Sequence, residues 1–342
     1  MRITKVNFFI FVLLGILISF NLFGFCQEKT SWQIGMTVSG QHPHALNARK
    51  LSEVLSNLSG GTIDLGLSEA VGSDRDIIEQ VQLGMLDMGV IAAQTLSSFS
   101  PTATALNIPW LFENEDFMFD VVLHKKLGRE LLDKIEDEVK DIKCLAIPYY
   151  DARFVATTNK KITRIEDFQG LKIRTLQDPA ALRMWTELGA SPTPIPFNEV
   201  YTALITNLVD GFVSNYSCDA TMSLYEGYKY ILPTYQYNSL DIIIINEQLY
   251  NDLSEDQKKI VLEAANNTVK VMKGTIKYDL VPVWKKQILD AGVEITEFTP
   301  EFKEEMKKVA LKAHAPYLEN PAVAQFVNDV KILWMKVKDV YK

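Results

Sequence analysis

The residues of this chain whose type and position point most directly to chemistry are two arginines on candidate strands. Arg153 falls in the run Tyr149-Tyr150-Asp151-Ala152-Arg153-Phe154, and Arg174 ends the run Gly170-Leu171-Lys172-Ile173-Arg174. A guanidinium presents a planar fork of donors that matches a carboxylate in two parallel bonds, so it serves where a small acid must be held in one orientation. A structural salt bridge is the commoner use of any one arginine. Arg174 is set apart by its place at the carboxyl end of a strand, where open α/β sheets form their crevices. Tyr149, Tyr150, Trp185, Phe197 and Tyr216 also lie near predicted strand ends and read equally well as cleft or as core.

Catalytic signatures do not accompany these arginines. G-x-S-x-G, the P-loop, G-x-G-x-x-G after a strand and H-E-x-x-H are all absent from the sequence. Of the four histidines, only His42 and His44 are close, in His42-Pro43-His44. The proline and a helix start there are expected to leave the rings pointing apart, a poor metal site; one ring could instead line a cleft above a strand end. Asp74-Arg75-Asp76 suits the first turn of a helix better than paired acid–base chemistry. Cys144 and Cys218 could pair in an oxidising compartment or remain buried thiols. No zinc spacing exists, and neither a metal nor a cofactor is expected.

The elements that must position these residues follow from patterning. Strands are predicted at 32–38, 62–67 and 88–91, with helices at 43–58 and 74–83 between them, an order of β-α-β-α-β. Further strands are predicted at 144–149, 153–157, 171–175, 191–195, 211–215 and 240–246, with a short turn or helix at 165–168 and helices at 179–188 and 199–207. Such alternation predicts mostly parallel sheets flanked by helices. From the capping box Ser254/Gln257, a helical pattern runs to about 291, on the order of 55 Å at about 1.5 Å per residue. Pro282 should kink it, and a helix of that length most simply spans two lobes.

The chain is 342 residues long, about two domains' worth, and 47% hydrophobic residues are enough to fill two cores. Arg2 and Lys5 precede an uncharged apolar run at 8–20, the anatomy of a secretory signal. Gly24 and Cys26 suit cleavage before Gln27, giving a signal peptide over 1–26. Acylation of Cys26 is the second reading and retention of 8–25 as an anchor the third. The net charge is −8, and loss of the two cations of the signal takes it to −10. Nucleic-acid backbone and anionic lipid would both repel such a surface.

Gly170-Leu171-Lys172-Ile173-Arg174, followed by Val209-Asp210-Gly211 and Asn215, resembles the extracytoplasmic solute-binding proteins of tripartite ATP-independent periplasmic (TRAP) transporters, the DctP family. Further marks, in the family's order, are Ser59-Gly60-Gly61, Gly72-Ser73-Asp74-Arg75-Asp76, the run 79–87, Ile108-Pro109-Trp110-Leu111-Phe112, and Leu253-Ser254 with Gln257-Lys258. The resemblance covers nearly all of the chain after residue 26. It implies two α/β lobes around a hinged cleft: 27–150 plus about 240–280 in one, 151–239 plus about 281–342 in the other. It implies no catalysis, but capture of a small organic anion outside the cytoplasmic membrane, for delivery to the membrane subunits of a TRAP transporter or to a periplasmic accessory protein. It assigns the ligand carboxylate to Arg174, with help from Arg153 and Asn215. The opposite wall is expected from 42–47 and 69–74, bringing in His44 and Glu69, with Tyr150, Trp185 and Tyr216 adding aromatic surface. Ser214 and Tyr216 stand where the family commonly has Glu and Pro beside the asparagine, which suggests a less polar ligand than a C4-dicarboxylate. A periplasmic enzyme clamping an anion with Arg174, or a ligand-sensing subunit, are the alternatives.

Overall fold

The computed structural model describes residues 29–341 apart from 113 and 124. The expected signal over 1–26, including Cys26, lies outside the described residues, as does His124. In chain order the strands are β1 (Thr30–Met36), β2 (Ile63–Glu69), β3 (Met88–Ala92), β4 (Ile142–Ala146), β5 (Tyr149–Ala152), β6 (Phe154–Thr157), β7 (Lys172–Thr175), β8 (Ser191–Pro194), β9 (Gly211–Ser214), β10 (Tyr230–Leu232), β11 (Asn238–Asn246) and β12 (Glu294–Ile295). The principal helices are α1 (Pro43–Leu58), α2 (Asp74–Gln82), α3 (Lys126–Glu138), α4 (Pro179–Glu187), α5 (Tyr216–Thr221), α6 (Glu255–Gly274), α7 (Val281–Asp290), α8 (Pro300–His314) and α9 (Pro321–Val337).

Local chemistry explains where the first of these begin. Pro43 sits in the first turn of α1, where its fixed φ costs nothing and its missing N–H is not needed. Ser73 and Asp76 cap α2 reciprocally. α1 buries Ala45, Ala48, Leu51 and Leu55 at helical spacing, against Trp32, Ile34 and Met36 of β1. β11 runs through the middle of this sheet, and Ile242 to Ile245 are all fully buried because both of its faces are covered.

Two sheets result, with orders β2-β1-β3-β11-β4 (β5 also pairing β11) and β12-β10-β6-β9-β7-β8. Both are mixed rather than mostly parallel. β11 runs antiparallel to β3, β4 and β5, and β6 runs antiparallel to β9 and β10. The reason is that β11 and β6 are entered by chain crossing from the other sheet, not by a βαβ connection within one. The chain passes from the first sheet to the second between β5 and β6, returns between β10 and β11, and crosses again along the α6–α7 helical run. α6 packs on α1 in the first lobe and α7 on α5 in the second, so the run spans both lobes as its length implied. Between them lies a π turn, Thr275–Leu280, directly before Pro282 in the first turn of α7. A proline has no N–H to return to the preceding turn, and the ladder widens there.

The C-terminal segment departs from the expected division. α8 packs on α4 of the second lobe, but α9 lies on the first, against α3 and Pro101–Asn107. Its apolar stripe of Val323, Phe326, Val327 and Val330 is buried there, with Phe326 edge-on to Phe112 at 6.5 Å and Trp334 5.0 Å from Phe117. The helical layer over 101–138 offers apolar side chains that this last helix helps to cover.

Candidate functional site

Strand periodicity places Arg174. On β7, Ile173 and Trp185 of α4 share the core on one face of the second sheet, so Arg174 projects to the other, toward the first lobe. Its side chain is 1% exposed, and Nε and one Nη donate to the Ile195 carbonyl at 2.9 and 2.7 Å. The rest of the fork meets no carboxylate among the described residues. Burial draws its pKa down to about 9, with the nearby charge of Arg153 adding to the effect. Arg153 occupies the crossing between β5 and β6, where its N–H donates to the Tyr237 carbonyl at 3.0 Å. It too is buried, and its Nε has no partner. Among the described residues neither guanidinium makes a direct ion pair, and the carboxylates of Asp74, Asp178 and Asp241 act on the two only at longer range, so an anion placed between them is favoured.

The facing wall is built at the start of α1. His42 caps the helix, its Nδ1 accepting the N–H of His44 at 3.2 Å. That bond requires a bare Nδ1, so the proton of neutral His42 is on Nε2, which donates to Tyr150 Oη at 2.6 Å. Burial, then the charge of His44, pushes the His42 pKa well below its usual value, keeping the ring neutral. Tyr150 Oη is also 3.0 Å from Cys218 Sγ, and the Tyr150 hydroxyl is held well above its usual pKa, chiefly by burial. His44 Nε2 bonds Asp241 Oδ1 at 3.0 Å. Burial would lower the His44 pKa, but the Asp241 carboxylate outweighs it and the net shift is upward. The two imidazoles do not point apart: their centroids are 4.8 Å from each other, edge to face. No group of three metal-ligating side chains occurs among the described residues.

Between these walls lies a narrow cavity. His42, His44, Asp74, Ala92 and Tyr150 line it from the first lobe, and Arg153, Arg174, Leu176, Phe197, Val213, Ser214 and Cys218 from the crossing and the second. Ala92, Arg174 and Ser214 stand at or beside the carboxyl ends of β3, β7 and β9, the sheet edge where the sequence placed a crevice. An outer chamber shares Asp74, Leu176 and Phe197 and adds Ser73, Arg75, Thr95, Gln177 and Pro196. Across the cleft Gln94 Nε2 donates to Asp178 Oδ2 at 3.0 Å, and the Ser98 hydroxyl donates to the Gln177 carbonyl.

Of the expected site residues, Arg174, Arg153, His44 and Tyr150 come together here. Asn215 does not line the cavity: its Oδ1 caps α5 by accepting the Cys218 N–H at 2.8 Å, and its Nδ2 donates to Ser239. Glu69 is exposed at the end of an edge strand, paired with Arg49. Trp185 is in the second lobe's core against Phe168, on the far face of the sheet from Arg174. Tyr216 packs on Phe154 and bonds Tyr235. Tyr149 packs on Phe119, so only Tyr150 and Phe197 of the aromatic set reach the ligand space. Asp74, at the end of the expected 69–74 wall, does line the cavity, whereas Leu176 and Cys218 were missed. Leu176 lies two residues beyond Arg174 on the same strand end, and Cys218 one helical turn beyond the Ser214 strand end, which are signals that spacing alone could have supplied. Cys144 and Cys218 are both free and buried.

The comparisons with known proteins agree with this geometry. Residues 34–320 match the model of DctP, bacterial extracellular solute-binding protein, family 7. The chain is 30% identical over 275 residues to the sialic acid-binding periplasmic protein SiaP of Vibrio cholerae, covering 78% of this chain and 83% of that one. A TRAP periplasmic solute-binding protein from Xanthobacter autotrophicus with bound β-D-galacturonate superposes with a TM-score of 0.82 at 25% identity, covering 88% of this chain and 99% of that chain. One from Roseobacter denitrificans with bound β-D-glucuronate gives 0.82 at 26% identity, covering 88% and 98%. With two α/β lobes around a cleft and this match over most of its length, the chain belongs to the DctP family of TRAP-transporter solute-binding proteins, which capture small organic anions for secondary transport.

Proposed function

We propose that this protein captures a small monocarboxylate between its lobes and hands it unchanged to the membrane subunits of a TRAP transporter. The observation that carries the reading is the pair of buried guanidiniums, Arg153 and Arg174, without a carboxylate partner in a cavity between the lobes. One carboxylate satisfies them, with Arg174 providing the free edge of its fork. A second carboxylate would meet Asp74 on the opposite wall. The apolar surface comes from Ala92, Leu176, Phe197 and Val213 together with the Tyr150 ring and Cys218, with fewer aromatic groups than expected from sequence. The uronates and sialic acid named for the relatives are acids of the right charge, and the ligand here is proposed to share that charge.

A catalytic reading finds little support in the one group that resembles machinery. Burial pushes the Cys218 thiol well up, away from the thiolate. His42 Nε2, 3.8 Å from Cys218 Sγ, already carries the proton it donates to Tyr150 and is not free to act as a base. Residues 1–26 are proposed to direct export and to be cleaved, with lipidation at Cys26 as the alternative that intact mass of the mature protein decides. The function is tested by a thermal-shift panel on protein stripped of solute. Monocarboxylates are expected to stabilise it more than succinate or malate, and stabilisation by the dicarboxylates alone would overturn the assignment.

A further inference from the structure

Arginines account for a carboxylate, but they leave the first-lobe wall of the cavity with nothing to hold. There, two buried polar groups have unfilled capacity. His44 lines the cavity with a side chain 5% exposed; Nε2 is committed to Asp241, and Nδ1 has no partner. Tyr150 receives the Nε2–H of His42 at its oxygen, so its own proton is left for Cys218 Sγ at 3.0 Å, a poor acceptor. Asp74, on the same wall, is mostly committed, with three of its roughly four lone-pair sites filled. Its Oδ1 accepts from Thr37 at 2.9 Å and from the Ala92 N–H at 3.3 Å, and its Oδ2 accepts from Thr95 at 3.2 Å.

We infer that His44 and Tyr150 form a second polar subsite, facing the arginines, that selects acids bearing a hydroxyl over their deoxy counterparts. The inference rests on the anion-binding reading above. A hydroxyl satisfies Nδ1 in either protonation state of His44, because it donates to a bare ring nitrogen and accepts from a protonated one. The Tyr150 hydroxyl gains an oxygen acceptor in place of sulfur. A methylene at the same place does neither, and leaves two buried polar groups short of partners. Sites built to bond a hydroxyl reject the analogue lacking it for this reason.

Mass spectrometry of the solute released on denaturing the purified protein is the first arm of the test. A hydroxy acid is the expected result. A carboxylate without a hydroxyl overturns the subsite while sustaining anion binding, and release of no anion overturns both. The second arm is titration calorimetry with 3-hydroxybutyrate against butyrate and mandelate against phenylacetate. For a pair that binds, the hydroxylated member is expected to be about ten- to a hundredfold tighter. In Tyr150→Phe, and in His44→Asn if it folds, that ratio should shrink to about threefold or less. Equal loss for both members of a pair assigns the two side chains to structure alone and overturns the inference, as does a parental ratio near one.

Discussion

Removing Arg174 tests the site at its centre. Arg174→Ala leaves a bound carboxylate with one cation in a desolvated cavity, a loss of about 3 to 5 kcal/mol, or about a hundred- to several-thousandfold in affinity. Arg174→Lys should restore only part of this, because a point charge makes no pair of parallel bonds. Titration calorimetry with the co-purified solute, on variants shown by circular dichroism to be folded, reads the effect; binding within threefold of the parent makes Arg174 structural. Three buried acids beside the cavity give the protein an unusual pH response. Burial holds Asp219 up at about 8, Asp151 at about 7 and Asp178 at about 6, against an ordinary 3.8. Each keeps in the fold a proton that the unfolded chain releases once pH passes its ordinary value. Their contribution therefore favours folding at low pH and is lost as pH climbs to each folded value. The melting temperature of the solute-free protein should fall between about pH 5 and 8, and Asp219→Asn should flatten the upper part of that slope. A melting temperature that rises steadily across this range would contradict it.

At the scale of elements, Asn215 shows what motif transfer can mistake. The short helix α5 carries Cys218 into the cavity, and Asn215 is its cap, with Ser239 of β11 holding the other end of the amide. Asn215→Ala should lower stability by about 1 to 2 kcal/mol, read by urea denaturation, with a smaller effect on affinity than Arg174→Ala. Gly211 at the start of β9 is a second fixed point. A Cβ there would stand 2.5 Å from the Ala156 carbonyl oxygen of β6, backbone that cannot swing away. Gly211→Ala should lower the melting temperature by several degrees or prevent folding, and a change of less than one degree would mean the two strands separate readily. Helix starts at Pro43, Ser73 and Ser254, the buried run Ile242 to Ile245 and the strand-end position of Arg174 were all legible, since each is a local pattern. Trp185, Tyr216 and Glu69 were not, because nearness to a strand end does not say which face of the sheet a side chain takes. The antiparallel entry of β6 and β11 and the return of α9 to the first lobe are set by long-range packing, which periodicity does not encode.

For the whole molecule, the conformation described here is a closed one, since Gln94–Asp178 and Ser98–Gln177 bridge the cleft mouth. Closure brings Arg153 and Arg174 toward Asp74 of the facing wall without a direct ion pair, and a ligand touching both lobes shifts the population toward the shut form. Small-angle scattering should show a smaller radius of gyration with solute than without; identical values in both states contradict a hinged binder. Gln94→Ala removes one bridge without touching the arginines and should weaken affinity about five- to tenfold.

The burial of both guanidiniums, at 7% and 1% exposure, has a consequence beyond affinity. Once the lobes have shut, nothing on the outside of the protein reports which acid lies within. A partner docking on the surface would then meet an outline, open or shut, and not the cargo's chemistry. Exchanging the enclosed side chains is therefore expected to change which acid is held while leaving the outer surface of the shut form as it was.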